Sequence, residues 1–282
     1  MKAYVSIDLE GLPGISSISQ VAPRYPLYQD AREIMTRVAR VVAESLLKNG
    51  FREVVIADSH GFMANIIPWK MPRRVKLLQG YPRPYSMVIG LEKGFEAAIF
   101  IGYHAAAGTV NAFLDHTYSS SVIHRIWVND VLASEYYVNA LYASYYNVPL
   151  ILVAGDKHLE PDVRKHTPWA VFITLKEGVS RTSAIYDSIE EIEEELKKAI
   201  REACDKLRRK QMKTMDLPDK YILRIELKNQ VYADMLHVVP GIKRIDAYTI
   251  EYEAKTPVEV LGIIEAAAWI GAGGAYILER NR

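Results

Sequence analysis

The stretch Lys2-Ala-Tyr-Val-Ser-Ile-Asp-Leu-Glu-Gly11 (KAYVSIDLEG) sets the reading of this chain. Ala3 to Ile7 form a short apolar run, too short for a helix, that ends at Asp8. Asp8 and Glu10 are two apart, so on an extended backbone both carboxylates share one face. Two further runs repeat the pattern. Glu53 to Ala57 (EVVIA) lead into Asp58-Ser59-His60, and Ala97 to Ile101 (AAIFI) lead into Gly102-Tyr103-His104. Between the first two runs lies a helical pattern over Asp30 to Asn49, stopped by Gly50. Strand and helix alternate in this way through Pro149 to Ala154 and Ala170 to Leu175. That rhythm predicts an α/β fold, a largely parallel sheet flanked by helices.

Other elements follow from local signals. Val122 to Val128 and Val131 to Ala133 read as a hairpin about Asn129-Asp130. Ser134 can cap a helix over Glu135 to Tyr146. Ser188 and Glu191 form a capping box for a helix to Lys210, acidic at its start and basic at its end. Lys210 to Asp219 read as a linker. A smaller α+β unit follows, with a strand at Tyr221 to Leu227, a helix near Gln230 to Val238 and a strand pair around Pro240-Gly241. A final helix starts at Thr256-Pro257 and is expected to reach about Ile270. The expected division is a metal-binding catalytic α/β domain over 1–215 and a small α+β domain over 216–282.

Bulk properties exclude several classes of function. Thirty-five basic against 34 acidic residues leave a net charge of +1, which gives no electrostatic case for nucleic acid or an anionic membrane. Cys204 is the only cysteine, so an intramolecular disulfide and a thiolate metal site are both excluded. The start of the chain lacks the pattern of a secretory signal, and the apolar stretch Val260 to Leu278 is interrupted by Glu265 and four glycines. A soluble cytoplasmic protein is expected. No G-x-G-x-x-G, Walker A or G-x-S-x-G motif occurs.

Singly, each polar strand end has a bland reading as a solvated turn. Together they deliver Asp8, Glu10, His60 and His104 to the carboxyl ends of three strands, where α/β sheets bind ligands. Glu135 adds a third carboxylate from a helix start. Two histidines and three carboxylates suit zinc, and five ligands suggest two metals sharing a bridging carboxylate. His116 can be read as a general base, a nucleophile or an oxyanion stabiliser, or as a loop histidine bonded to its own backbone. The five tyrosines of 135–146 read as packing or interface residues.

Several motifs in register also resemble those of the D-aminopeptidase family (M55) of binuclear zinc peptidases. They are VSIDLEG (5–11), ADSHG (57–61), GYHA (102–105), the His116-Thr117 pair, the Asn129 to Ala140 segment, VPLILVAGD (148–156) and VSR (179–181). The resemblance implies Asp8 as bridging ligand. Glu10 and His104 would complete one zinc and His60 and Glu135 the other, making two zinc ions per chain, with a catalytic role for His116. It further implies aminopeptidase cleavage of short peptides, D-amino-acid peptides among them, inside a ring-shaped homo-oligomer (a decamer) that encloses its active sites. Two departures are Arg37, where an acid is expected, and Asp115, where a small hydroxyl residue is expected before His116. Alternatives on the same residues are a two-metal phosphoesterase, with Arg125 and Arg181 as phosphate clamps, and a non-catalytic peptide-binding oligomer with a structural metal.

Overall fold

A computed structural model describes residues 1–280. In chain order the elements are β1 (Lys2–Ile7), α1 (Tyr28–Lys48), β2 (Glu53–Asp58), β3 (Val75–Leu78), β4 (Ala97–Tyr103), β5 (Ile123–Val128), β6 (Val131–Leu132) and α2 (Glu135–Tyr145). They continue with β7 (Leu150–Asp156), α3 (Glu160–His166), β8 (Val171–Ser180), β9 (Ser183–Ile185), α4 (Ile189–Arg208), β10 (Tyr221–Leu227), α5 (Gln230–Leu236), β11 (Lys243–Arg244), β12 (Thr249–Ala254) and α6 (Pro257–Arg280).

The first sheet has the order β3-β2-β1-β4-β7-β8-β9, parallel except for the β8–β9 hairpin. β4 and β7 are buried along their whole length, as expected for central parallel strands covered on both faces. Side chains alternate between the two covering layers. Ala3, Val5 and Ile7 join the core under α1 and α4, while Tyr4 joins the core on the α2 and α6 side. From β1 the chain winds outward through β2 and β3 on one side, and through β4, β7 and β8 on the other. The β1–β4 gap is therefore the topological switch point, where the strand ends leave a crevice.

The second sheet is antiparallel, in the order β11-β12-β10-β5-β6. The β5–β6 hairpin turns on Asn129 and Asp130, both at positive φ as a type I′ turn requires. It pairs with β10, so the small sheet draws strands from both sides of residue 215. The first sheet and the second thus share one core, in which Phe100 and Tyr136 cluster with Leu223, Ile225 and Ile264.

The last helix differs from the sequence expectation. α6 does not stop near Ile270 but runs 24 residues, and by length and composition it is long and apolar enough to cross a membrane. Here its buried face packs on α2, α5 and the antiparallel sheet. Two of the four glycines that suggested a break, Gly271 and Gly274, allow close approach instead. A Cβ on Gly271 would lie 2.2 Å from Val122 Cγ1, and one on Gly274 would lie 2.7 Å from Met235 Sδ. α3 and β9 had no clear sequence signal, being a single helical turn-pair after a strand and a three-residue return.

Candidate metal centre

Asp8 and Glu10 leave the end of β1, His60 follows β2 and His104 follows β4. All four are buried beside the switch-point crevice. Gly102 makes this approach possible. Its φ is +73°, and a Cβ there would sit 2.1 Å from the Asp8 carbonyl oxygen. Glu135 arrives from the opposite layer as the first residue of α2, whose N-terminus favours a carboxylate. Ser134 caps that helix by accepting from the Tyr137 amide.

The five side chains form one continuous cluster. His60 Nδ1 is 2.5 Å from Glu10 Oε2 and 3.4 Å from Asp8 Oδ1. On the other side of Asp8, Oδ2 is 3.7 Å from His104 Nε2, which is 3.8 Å from Glu135 Oε2. The Asp8 carboxylate thus faces a histidine with each oxygen. His116 lies at the edge, its ring stacked on that of His104 at 4.5 Å and its Nε2 3.6 Å from Glu135 Oε1. Metal-binding spacing is met by two overlapping groups, Asp8–Glu10–His104 and His104–His116–Glu135.

The residues fit a metal on three counts. First, two ligand atoms each about 2.0–2.2 Å from one zinc at a tetrahedral angle lie roughly 3.4 Å apart, close to the 3.4 Å from Asp8 Oδ1 to His60 and the 3.7 Å from Asp8 Oδ2 to His104. Second, Asp8 Oδ2 and His104 Nε2 are buried without a hydrogen-bond partner among the described residues, an expense that a cation between them would remove. Third, every histidine has its outer nitrogen tied to a backbone carbonyl. His60 Nε2 lies 2.7 Å from Val21 O, His104 Nδ1 3.0 Å from Ala105 O and His116 Nδ1 2.8 Å from Leu114 O. Each tethered nitrogen must donate, so the inner nitrogen is left with a lone pair when the ring is neutral.

Packed this closely, the side chains of the cluster shift one another's protonation. Burial and the neighbouring Glu10 push Asp8 well above the usual carboxylate range. Burial also acts to raise Glu10, but His60 outweighs it and holds Glu10 well below that range. Burial acts to lower His60, yet Glu10 and Asp8 raise it well above its ordinary value. Burial and then His116 lower His104.

Residues behind the cluster were less visible in the sequence. Asp58, fully buried, accepts from the Asn65 and Ile66 amides, from Asn65 Nδ2 and from Gln79 Nε2, and so shapes the loop carrying His60. Tyr118 donates its amide to Glu135 Oε1 at 2.7 Å. Arg181 ion-pairs with Asp115 and donates to its carbonyl, and Leu114 N donates to Arg181 O at 2.9 Å. Arg181 therefore braces the His116 loop, and the phosphate-clamp alternative loses that arginine. The Asp-Ser-His spacing pointed to His60 but gave no sign of Asp58 as its support.

A doubly wound α/β sheet with buried carboxylate and imidazole donors at its switch point is the architecture of a metal-dependent hydrolase. Comparison with known proteins makes this specific. The D-aminopeptidase family model (Peptidase M55) matches residues 1–266, so the chain belongs to that family. It is 30% identical over 260 residues to the D-aminopeptidase of Bacillus subtilis (strain 168), covering 92% of this chain and 93% of the relative. It also superposes, with a TM-score of 0.91 and 28% identity over 96% of this chain and 98% of the other, on a solved structure. That structure is the Zn-dependent D-aminopeptidase DppA from Bacillus subtilis, described as a self-compartmentalizing protease.

Proposed function

We propose that this chain is a zinc-dependent aminopeptidase that hydrolyses short peptides with an amino-terminal D-residue. Asp8, Glu10, His60, His104 and Glu135 would hold two zinc ions, with Asp8 between them. The observation that carries the reading is the pair of unpartnered buried donors, Asp8 Oδ2 and His104 Nε2, facing each other at 3.7 Å inside a hydrogen-bonded cage. When bound, the ions would supply Lewis acidity toward the scissile carbonyl and a water of lowered pKa.

The remaining chemistry belongs to the chain. His116 is held by Leu114 O through Nδ1, so its Nε2 presents a lone pair to the cavity edge. From there it can take a proton from the attacking water and return it to the leaving amine. A nucleophilic role would require the same free Nε2. The cavity, of about 560 Å³, is bordered by Phe62, Met63, Met87 and Trp269, which suits a small peptide with apolar side chains. Arg24 is the arginine in its wall, and one arginine is a poor phosphoryl clamp, which disfavours the phosphoesterase alternative.

By analogy with the self-compartmentalizing relative, we further propose a ring-shaped homo-oligomer. The exposed Phe62, Trp69 and Trp269 provide apolar surface for such contacts. The functional test is an assay of the zinc-loaded protein on D-alanyl-D-alanine and on p-nitrophenyl phosphate, before and after chelation. Peptide hydrolysis that chelation abolishes and zinc restores is expected. Phosphate-ester hydrolysis without peptide hydrolysis would overturn the reading.

A further inference from the structure

Four acidic side chains line the main cavity: Asp8, Glu10, Glu135 and Glu265. The first three belong to the proposed metal centre. Glu265 does not. It comes from the other end of the chain, on the buried face of α6, where it is the one acidic residue in the apolar run from Val260 to Leu278. It is 5% exposed, and its Oε2 has no hydrogen-bond partner among the described residues. A carboxylate buried with an unsatisfied oxygen is costly to the fold, and more so when charged.

Its neighbours do not neutralise it. Arg83 is nearby but spends its guanidinium on backbone carbonyls, donating to Ser86 O, Leu78 O and Asp58 O at 2.8–3.0 Å. Burial pushes Glu265 up to about 7, against the smaller opposing pulls of the Ser86 hydroxyl and Arg83. The group is thus poised to ionise when a cation comes into the cavity. Once metal ions occupy the other three acids, Glu265 is the carboxylate left in the wall to receive one.

We propose that the Glu265 carboxylate receives a protonated primary amine of the substrate. This rests on the peptidase reading and deepens it. Cleavage limited to chain ends needs a group that recognises the terminal ammonium, and a basic side chain of the substrate carries the same chemistry.

The test is calorimetric binding to the zinc-loaded oligomer, wild type against E265Q, which keeps the shape and removes the charge. D-alaninol presents an α-amine without a scissile carbonyl. N-acetyl-D-lysinol presents a side-chain amine only, and 1,2-propanediol presents no amine. Weakening of D-alaninol binding by about 10-fold or more in E265Q, with propanediol unaffected, assigns Glu265 to the α-amine. Selective weakening of N-acetyl-D-lysinol instead assigns it to a basic side chain. Equal affinity of both amines for the two proteins would overturn the proposal. In parallel, KM for D-alanyl-D-alanine should rise in E265Q far more than kcat falls, because the ammonium does not change charge as the carbonyl is attacked and its contact is made equally in the ground and transition states. An equal fall in kcat and kcat/KM, with KM unmoved, also counts against it. Failure of the wild type to hydrolyse any peptide would instead strike the peptidase reading, while the amine-binding comparison would still decide the role of Glu265.

Discussion

The parallel and antiparallel sheets share a core yet solve different problems. Strands β1 and β4 of the first sheet are covered on both faces, and they bury charged or histidine side chains only at their carboxyl ends, at Asp8, Glu10 and His104. In the second sheet β10 (YILRIEL) alternates strictly, with Tyr221, Leu223, Ile225 and Leu227 buried and the residues between them partly wet. Its charges form exposed pairs such as Arg224 with Glu251 and Asp130, which contribute little stability. One sheet therefore concentrates buried charged groups at a single edge, and the other keeps its charged groups in contact with water.

Substitutions should separate the two regions. The largest effect belongs to Asp8→Ala. It removes the carboxylate facing both His60 and His104, so zinc content and activity should fall together. The activity loss should exceed the ~10–100-fold seen when only a group behind a ligand is removed. An Asp8→Ala protein that keeps both zinc ions by elemental analysis would refute the bridging role.

His116→Ala should come next. Turnover is expected to drop by about 10²-fold or more with zinc stoichiometry near wild type. The geometry makes this a sharp test, because His116 Nε2 also lies within ligand range of Glu135. Loss of zinc along with turnover would make His116 a ligand, and unchanged turnover would make it a loop residue tied to Leu114.

In the second sheet, Ile225→Ala hollows the shared core at a fully buried position. Chemical denaturation should show a loss of about 2–5 kcal/mol. Zinc content and turnover per folded molecule should stay near wild type. A large fall in zinc affinity from Ile225→Ala would mean that the two regions are coupled more tightly than the comparison allows.

Much of the first sheet was legible in the sequence because its signals are local. Continuous apolar runs, each ending in Asp, Glu or His, mark buried strands and place the donors at one edge. The cap at Ser134 likewise placed Glu135 at a helix start. Other features were illegible because they depend on distant partners. Nothing in Val122 to Ala133 says that this hairpin pairs with β10, more than 80 residues on. Gly271 and Gly274 of α6 read as breaks because the close approach of Val122 and Met235 that explains them is tertiary. Asp58, Arg181 and Glu265 look like ordinary polar residues until the loops and helices around them are assembled. His60 and His104 were identifiable as candidates, but the carbonyl tethers from Val21 and Ala105 that orient their rings were not.

The central claim is that the Asp8 carboxylate sits between two zinc ions. Anomalous diffraction from crystals of the zinc-loaded protein, collected on both sides of the zinc absorption edge, tests it directly. Two zinc peaks are expected per chain, one on each side of Asp8, with His60, His104, Glu10 and Glu135 distributed around them. A single peak, or zinc bound away from Asp8, would contradict the account.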